Sequence, residues 1–185
     1  MKFNSDGFIR SSVMDDLEIH NPIACGNSTL RKVKDMVGVI VSQRKVLWRT
    51  NGYVDKYVDT LPDRYLSDYD VYEAYEGTSL RLFNHNDKWI LCTNKCLDAF
   101  YAKWGSEKSY GTLFAETLLD KYDTDYETLC NSLDKSKLYV FFLTRSNEER
   151  IVCRVESRKI FHSATYSSEG LIHEKIMIPV QEPIT

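Results

Sequence analysis

The chain has 185 residues and a formal net charge of −3, with 43% apolar and 28% charged residues. That balance describes a globular protein with a real core and excludes one that coats nucleic acid by bulk electrostatics. Eight glycines and four prolines are too few for extended disorder, and five scattered cysteines (Cys25, Cys92, Cys96, Cys130, Cys153) are not a disulfide framework. Met1 to Asp6 carries no apolar signal region, and no apolar run approaches the roughly 20 residues of a membrane span. A reducing, intracellular setting, cytoplasmic or nuclear and without membrane contact, is the expectation.

Residues 1–35 read as a polar, irregular segment with one short helix around Val13 to Ile19. Met36 to Val41 is a β-branched run and predicts a buried strand, Ser42-Gln43-Arg44 its turn, and Lys45 to Arg49 the return strand. Val71 to Tyr75, Ser79 to Asn84 and Lys88 to Thr93 predict three more strands, the last two joined by the turn Asn84-His85-Asn86-Asp87. A helix is expected over Ser109 to Tyr122, capped by Ser106 or Ser109, with Phe114, Leu118 and Leu119 on its apolar face and Glu116 and Asp120 outside it. Asp123 is placed to cap a second helix through Leu133, with Tyr126, Leu129, Cys130 and Leu133 facing inward. Lys137 to Thr144 and Arg150 to Val155 predict a hairpin about Ser146 to Glu149, and Leu171 to Pro179 a last strand. Strands outnumber helices and follow one another through short turns, so the expected class is α+β with antiparallel sheet. The expected division is an N-terminal segment (1–35), a main domain (36–160) and a C-terminal extension (161–185).

The stretch Glu73-Ala74-Tyr75-Glu76-Gly77-Thr78, running into Ser79-Leu80-Arg81-Leu82-Phe83, has the frame Lys-x-Asp/Glu-Gly with alanine in place of the lysine. A lysine amine can form a phosphoramide with a nucleotide; a methyl group cannot. Taken alone, Glu76-Gly77-Thr78 is an ordinary β-turn, Lys95 a solvated lysine, and Arg49 and Arg150 partners for structural ion pairs. Tyr53, Trp89 and Tyr101 suit stacking on a base, but core or rim packing is the first expectation for each. Other chemistry finds little support. Cys92-x3-Cys96 lacks the second pair of a structural zinc, and His162 and His173 have no fixed relation. The cluster Asp120, Asp123, Asp125, Glu127 lacks the central glycine of a calcium loop. No phosphate-binding glycine-rich loop is present.

Several segments in one order carry a more specific resemblance. Arg49-Thr50-Asn51-Gly52-Tyr53 comes first, followed by Glu76-Gly77-Thr78 with Arg81-Leu82-Phe83. Lys88 to Lys95 is next, then Tyr139 to Leu143 with Arg150-Ile151-Val152. From about Val33 to Val155 the chain resembles the adenylylation domain of RNA ligases, nearest to the phage type and to ligase-like proteins of large DNA viruses. The resemblance implies a nucleotidyltransferase fold and nucleotide contacts from Arg49, Glu76, Gly77, Arg81, Lys95 and Arg150. It implies ATP and magnesium as cofactors, and a nucleotide or RNA end as partner.

The departures matter as much. Ala74 stands where the family has its nucleophile, and Leu143 where it has a glutamate. Glu169-Gly170-Leu171-Ile172 looks like a later acidic-glycine motif, but Glu174-Lys175-Ile176-Met177 is a poor match to the Lys-x-Lys that should follow. The leading expectation is therefore a degenerate, non-catalytic ligase-like domain, a pseudoenzyme. One alternative is an active transferase using Lys95 or Lys88, or a partner chain that supplies the missing motifs. Another is a protein–protein module with no ligand.

Overall fold

Alternation of inward and outward residues sorts the strands of this protein, and 3.6-residue periodicity its helices. The computed structural model describes residues 3, 7–23, 37–50, 72–146, 157–180 and 182. Along them run β1 (Phe8–Met14), β2 (Leu17–Pro22), β3 (Val39–Ser42), β4 (Lys45–Trp48), β5 (Gly77–His85) and β6 (Lys88–Cys92). Two helices follow, α1 (Tyr110–Tyr122) and α2 (Tyr126–Ser132), and then β7 (Leu138–Thr144), β8 (Ile160–Ser167) and β9 (Gly170–Ile172). The strands form two antiparallel sheets, ordered β1-β2-β3-β4 and β6-β5-β7-β8-β9. The class is α+β and mostly strand.

Strand β5 shows how the layers are built. Leu80 and Leu82 point one way, into a core with Leu91, Phe141 and Leu143 and with Leu113, Phe114 and Leu118 of α1. Phe83 points the other way, into a second core with Cys92 and Leu138 of its own sheet and Leu17, Ile19 and Ile40 of the first sheet. The second sheet is therefore the middle layer, with helices on one face and the first sheet on the other. Strands β6 and β7 alternate in the same sense: Trp89 and Leu91 oppose Ile90 and Cys92, and Tyr139 and Phe141 oppose Leu138 and Val140.

A polar latch crosses the second core. Arg81 is 0% exposed. Its Nη1 donates to the Gly38 carbonyl and its Nη2 to the Thr93 carbonyl at 2.6 Å. Gly38 has φ +62°, and a Cβ there would lie 2.9 Å from both guanidinium nitrogens, so glycine is what lets the cation reach the backbone. Beside it the Asn21 side chain accepts from Gly38 N at 3.0 Å and donates to the Asn94 carbonyl at 2.9 Å. At the far end of β5, Asp16 Oδ1 takes a hydrogen bond from His85 at 3.0 Å, while its other oxygen accepts from Ser42. Ser42 first and His85 second hold the Asp16 carboxyl below the usual range.

The local signals explain the turns and caps. Asn86 and Asp87 both have positive φ, the backbone of a two-residue hairpin turn, and Asn and Asp tolerate it best after glycine. Ser109 caps α1 by accepting from Thr112 N at 3.2 Å, and Leu129, Cys130 and Leu133 of the second helical segment face inward as expected.

Other expectations are corrected. Residues 8–22 are a β-hairpin, not an irregular segment with a helix at Val13 to Ile19; Leu17 and Ile19 fill the inter-sheet core while Ile9 and Val13 stay exposed. Asp123 does not cap α2. It ends α1 with φ +47°, and Asp125 caps α2 by accepting from Thr128 N at 2.6 Å. Leu119 is 61% exposed, because the buried stripe of α1 runs through Leu113, Phe114, Thr117 and Leu118. Residues 72–76 form no strand, and the last strand is only Gly170–Ile172. Strands β1 and β2 belong to the sheet of β3, and β8 begins at Ile160 inside the middle layer. The expected strand Arg150 to Val155 lies outside the described residues. Among the described residues no helix is long and apolar enough to cross a membrane.

Two predictions follow from the packing. Arg81→Ala leaves two buried carbonyls without a donor, at roughly 1.5–3 kcal/mol for each charged hydrogen bond lost. Urea unfolding should show a loss of about 3–6 kcal/mol. His162, buried on β8 with Nε2 2.8 Å from Thr165 Oγ1, has its pKa pushed below the ordinary 6.5, first by burial. The folded chain thus holds the neutral ring, while the unfolded chain takes up a proton as pH falls through 6.5. His162's share of stability is complete above that pH and is lost progressively below it. Thermal midpoints measured across this range should fall with acid more steeply for the wild type than for His162→Gln.

Candidate functional site

Gly77 opens β5, so the residues before it leave the sheet at one end of the middle layer. Ala74 is exposed there, with no side chain beyond its methyl group. Tyr75 lies over Phe161 of β8, with ring centroids 5.4 Å apart and planes 26° from parallel. Its hydroxyl donates to Glu73, which holds the Tyr75 pKa above its usual value.

Glu76 turns into the protein. Its Oε1 lies 3.4 Å from Arg145 Nε, and its carbonyl accepts from Arg145 N at 2.9 Å. Arg145 follows β7, the neighbour of β5, so sheet pairing delivers it to this position. The Arg145 guanidinium lies 4.8 Å from the Trp104 ring centroid, and its Nη2 donates to the Trp104 carbonyl at 3.3 Å. A Cβ on Gly105, where φ is +70°, would come within 2.8 Å of Arg145 Nη1. Acid, cation and indole form one buried-to-surface chain. A small cleft beside it is lined by Thr78, Ser106, Tyr110 and Arg158 as well as Trp104 and Arg145.

The expected contact residues separate into two groups. Arg81 does not face a groove; it is the buried latch between the sheets. Gly77 is explained within the fold, because a Cβ there would collide with the Leu143 carbonyl of β7. Glu76 is tied to Arg145. Arg49, just past β4, and Lys95, in the loop after β6, are exposed. Pairing of Cys92 with Arg81 makes β6 run toward the Gly77 end, and Lys95 follows in the loop that turns to the first sheet, where the Asn94 carbonyl accepts from Asn21. Lys88 pairs with His85 at the opposite end, roughly 26 Å away along a strand of this length. Arg150 lies outside the described residues.

Arg145 and Trp104 were missed in the sequence, since nothing in their local spacing marks them; Gly105 alone hints at a tight approach. No group of three or more His, Cys, Asp or Glu among the described residues is arranged to hold a metal ion. A cavity of about 590 Å³ lies elsewhere, on the face of the first sheet turned away from the second, beside Phe8, Glu18 and His20.

Gly77→Ala should destabilise the chain by about 1–3 kcal/mol, the usual cost of overpacking, because the atom in the way is backbone of the adjacent strand. Denaturant unfolding of the variant checks this. A Gly77 needed only for ligand approach would leave stability unchanged.

No protein-family model matches the chain. It is 44% identical over 96 residues to the immediate-early protein ICP-46 homolog of Invertebrate iridescent virus 6, covering 47% of this chain and 21% of that protein. It is 34% identical over 88 residues to the ICP-46 homolog of Invertebrate iridescent virus 3, covering 48% and 20%. To the immediate-early protein ICP-46 of Frog virus 3 it is 34% identical over 114 residues, covering 55% and 29%. The chain thus spans less than a third of the length of these relatives, all three of them iridoviral.

Proposed function

We propose that this chain is a ligase-like nucleotide-binding domain that binds a nucleotide or RNA end without forming a covalent adduct. The observation that carries the reading is the placement of the resembling segments. Lys88 to Cys92, Gly77 to Phe83 and Tyr139 to Leu143 are separated in sequence, yet they are the adjacent strands β6, β5 and β7 of one sheet. The motif frame sits at the open end of the middle strand, where a bound phosphate would meet the side chain of residue 74.

Ala74 decides the chemistry. In a lysine-bearing version the amine attacks the α-phosphorus. A P–N bond forms, the α–β P–O bond breaks and pyrophosphate leaves. A methyl group offers no lone pair, so binding is all that remains at this position. An active transferase with a displaced nucleophile is the second reading, favoured by the exposed Lys95 in the loop after β6. Lys88 is too far along β5 to serve.

The test is covalent labelling. Incubated with α-labelled ATP or GTP and magnesium, the chain as it stands should take up no acid-labile label, whereas Ala74→Lys should. ATP or AMP at about 100 times its dissociation constant should stabilise the unaltered chain by about 2.7 kcal/mol, visible as a raised melting temperature. Label on the unaltered chain would replace this reading with the active one. An unchanged melting temperature with every nucleotide, together with an unlabelled but folded Ala74→Lys variant, would remove both.

A further inference from the structure

We propose that the loop between β6 and α1 is a stacking platform for an unpaired nucleic-acid strand, with Tyr101 and Trp104 as its base-binding rings. Tyr101 is 83% exposed, Trp104 64% and Phe100 45%, all within five residues. Rings of this size are ordinarily buried, and a cluster of them in water marks a contact surface.

The loop holds its rings in place. Ala99 N donates to the Leu91 carbonyl at 2.8 Å, and Gly111 N to the Ala99 carbonyl at 2.8 Å, which ties the loop to β6 and to α1. Tyr110 N donates to the Ala102 carbonyl at 2.9 Å. Asp98 caps the turn, its Oδ1 accepting from Phe100 N at 2.8 Å. Phe100 meets Tyr126 edge-on at 5.5 Å. Trp104 is carried on Arg145, which leaves the rest of its ring to solvent. Aromatic faces fixed before binding lose little conformational entropy when a flat partner stacks on them.

The surroundings favour a nucleic-acid strand over an apolar partner. Lys95 and Lys103 are exposed in the same loop, interspersed with the exposed acids Asp98 and Glu107, and Arg145, ion-paired to Glu76, lines the cleft beside Trp104 with Arg158. Rings interleaved with cations suit bases interleaved with phosphates. A duplex hides its base faces in its own stack, so the partner is single-stranded. The chain's net charge of −3 confines the attraction to a few phosphates. With about two neutralised, log K should fall against log salt with a slope of about −1.4. The Glu76–Arg145–Trp104 chain places the platform beside the motif end of β5. That the bound strand presents its end to Ala74 rests on the reading above; the platform itself does not.

The experiment is fluorescence anisotropy with a labelled 12-nucleotide RNA, single-stranded and as its duplex, alongside thermal shifts with ATP and AMP. The expected result is tighter binding of the single strand, weakened roughly 5- to 100-fold by Tyr101→Ala and by Trp104→Ala. Trp104→Phe should restore part of the loss, Lys103→Gln should flatten the salt slope, and Leu119→Ala on the outer face of α1 should change nothing. Tyr101→Ala carries the decision, because so exposed a ring can be removed with little effect on folding. Duplex bound as well as single strand, Tyr101→Ala binding undiminished, or no affinity for either RNA, as for a protein-docking surface, would each overturn the platform. A nucleotide shift without strand binding leaves the reading of the motif site standing and removes the platform; strand binding with neither a nucleotide shift nor label on a folded Ala74→Lys variant does the reverse.

Discussion

The fold depends on a buried cation. Arg81 brings a guanidinium into the space between two sheets, where desolvation is costly, and no carboxylate among the described residues pairs with it. Two backbone carbonyls meet it instead, one from the segment leading into β3 and one from the segment leaving β6. Three other features follow from that choice. Residue 38 must be glycine, its backbone must take positive φ, and the chain after β6 must turn toward the first sheet, where Leu97 N donates to Ser12 Oγ at 3.1 Å. The neighbouring Cys92 thiol is pushed up by burial, with the Arg81 charge opposing, so it is a neutral filler of the core.

Strand β5 transmits that constraint to the candidate site. With Arg81 and Phe83 directed at the first sheet, the pleat sends Leu80 and Leu82 to the helices, and the end of the strand at Gly77 is set by register. Gly77 then lies against Leu143 of β7, and the continuation of β7 presents Arg145 to Glu76. The same arginine supports Trp104. One latch at the centre of the sheet thus fixes, through strand pairing alone, how the lysine-less motif and the exposed aromatic loop stand to one another.

What was legible in the sequence was local. The β5–β6 hairpin announces itself through Asn86-Asp87, and the start of α1 through Ser109, because a turn or a cap is decided by a few neighbouring residues. The β1–β2 hairpin was not legible. In Phe8–Met14 the apolar residues Ile9 and Val13 are exposed and a register shift falls at Ser11, so no clean alternation survives. Asp123 and Asp125 are equally good N-caps by residue type; only the αL tolerance of Asp, used at residue 123, separates them. Arg81 resembled a ligand contact because its true partners lie 43 residues upstream at Gly38 and 12 downstream at Thr93, beyond the reach of any local rule.

The residues of the motif region therefore divide by what folding already asks of them. Arg81, Gly77 and Glu76 are engaged within the protein, and a substitution at any of them would alter stability before it altered binding. Ala74, Arg49, Lys95, Lys103, Tyr101 and the outer part of Trp104 are turned to solvent and contribute little to the core. A fold gains nothing from holding an indole and a phenol rigidly in water; burying either would stabilise it by roughly 25 cal/mol for each Å² of apolar surface removed. Their exposure suits a contact surface, and Lys95 and Lys103 stand exposed in the same loop beside Asp98 and Glu107. On the reading proposed above, recognition through these exposed rings and cations does not depend on an amine at residue 74.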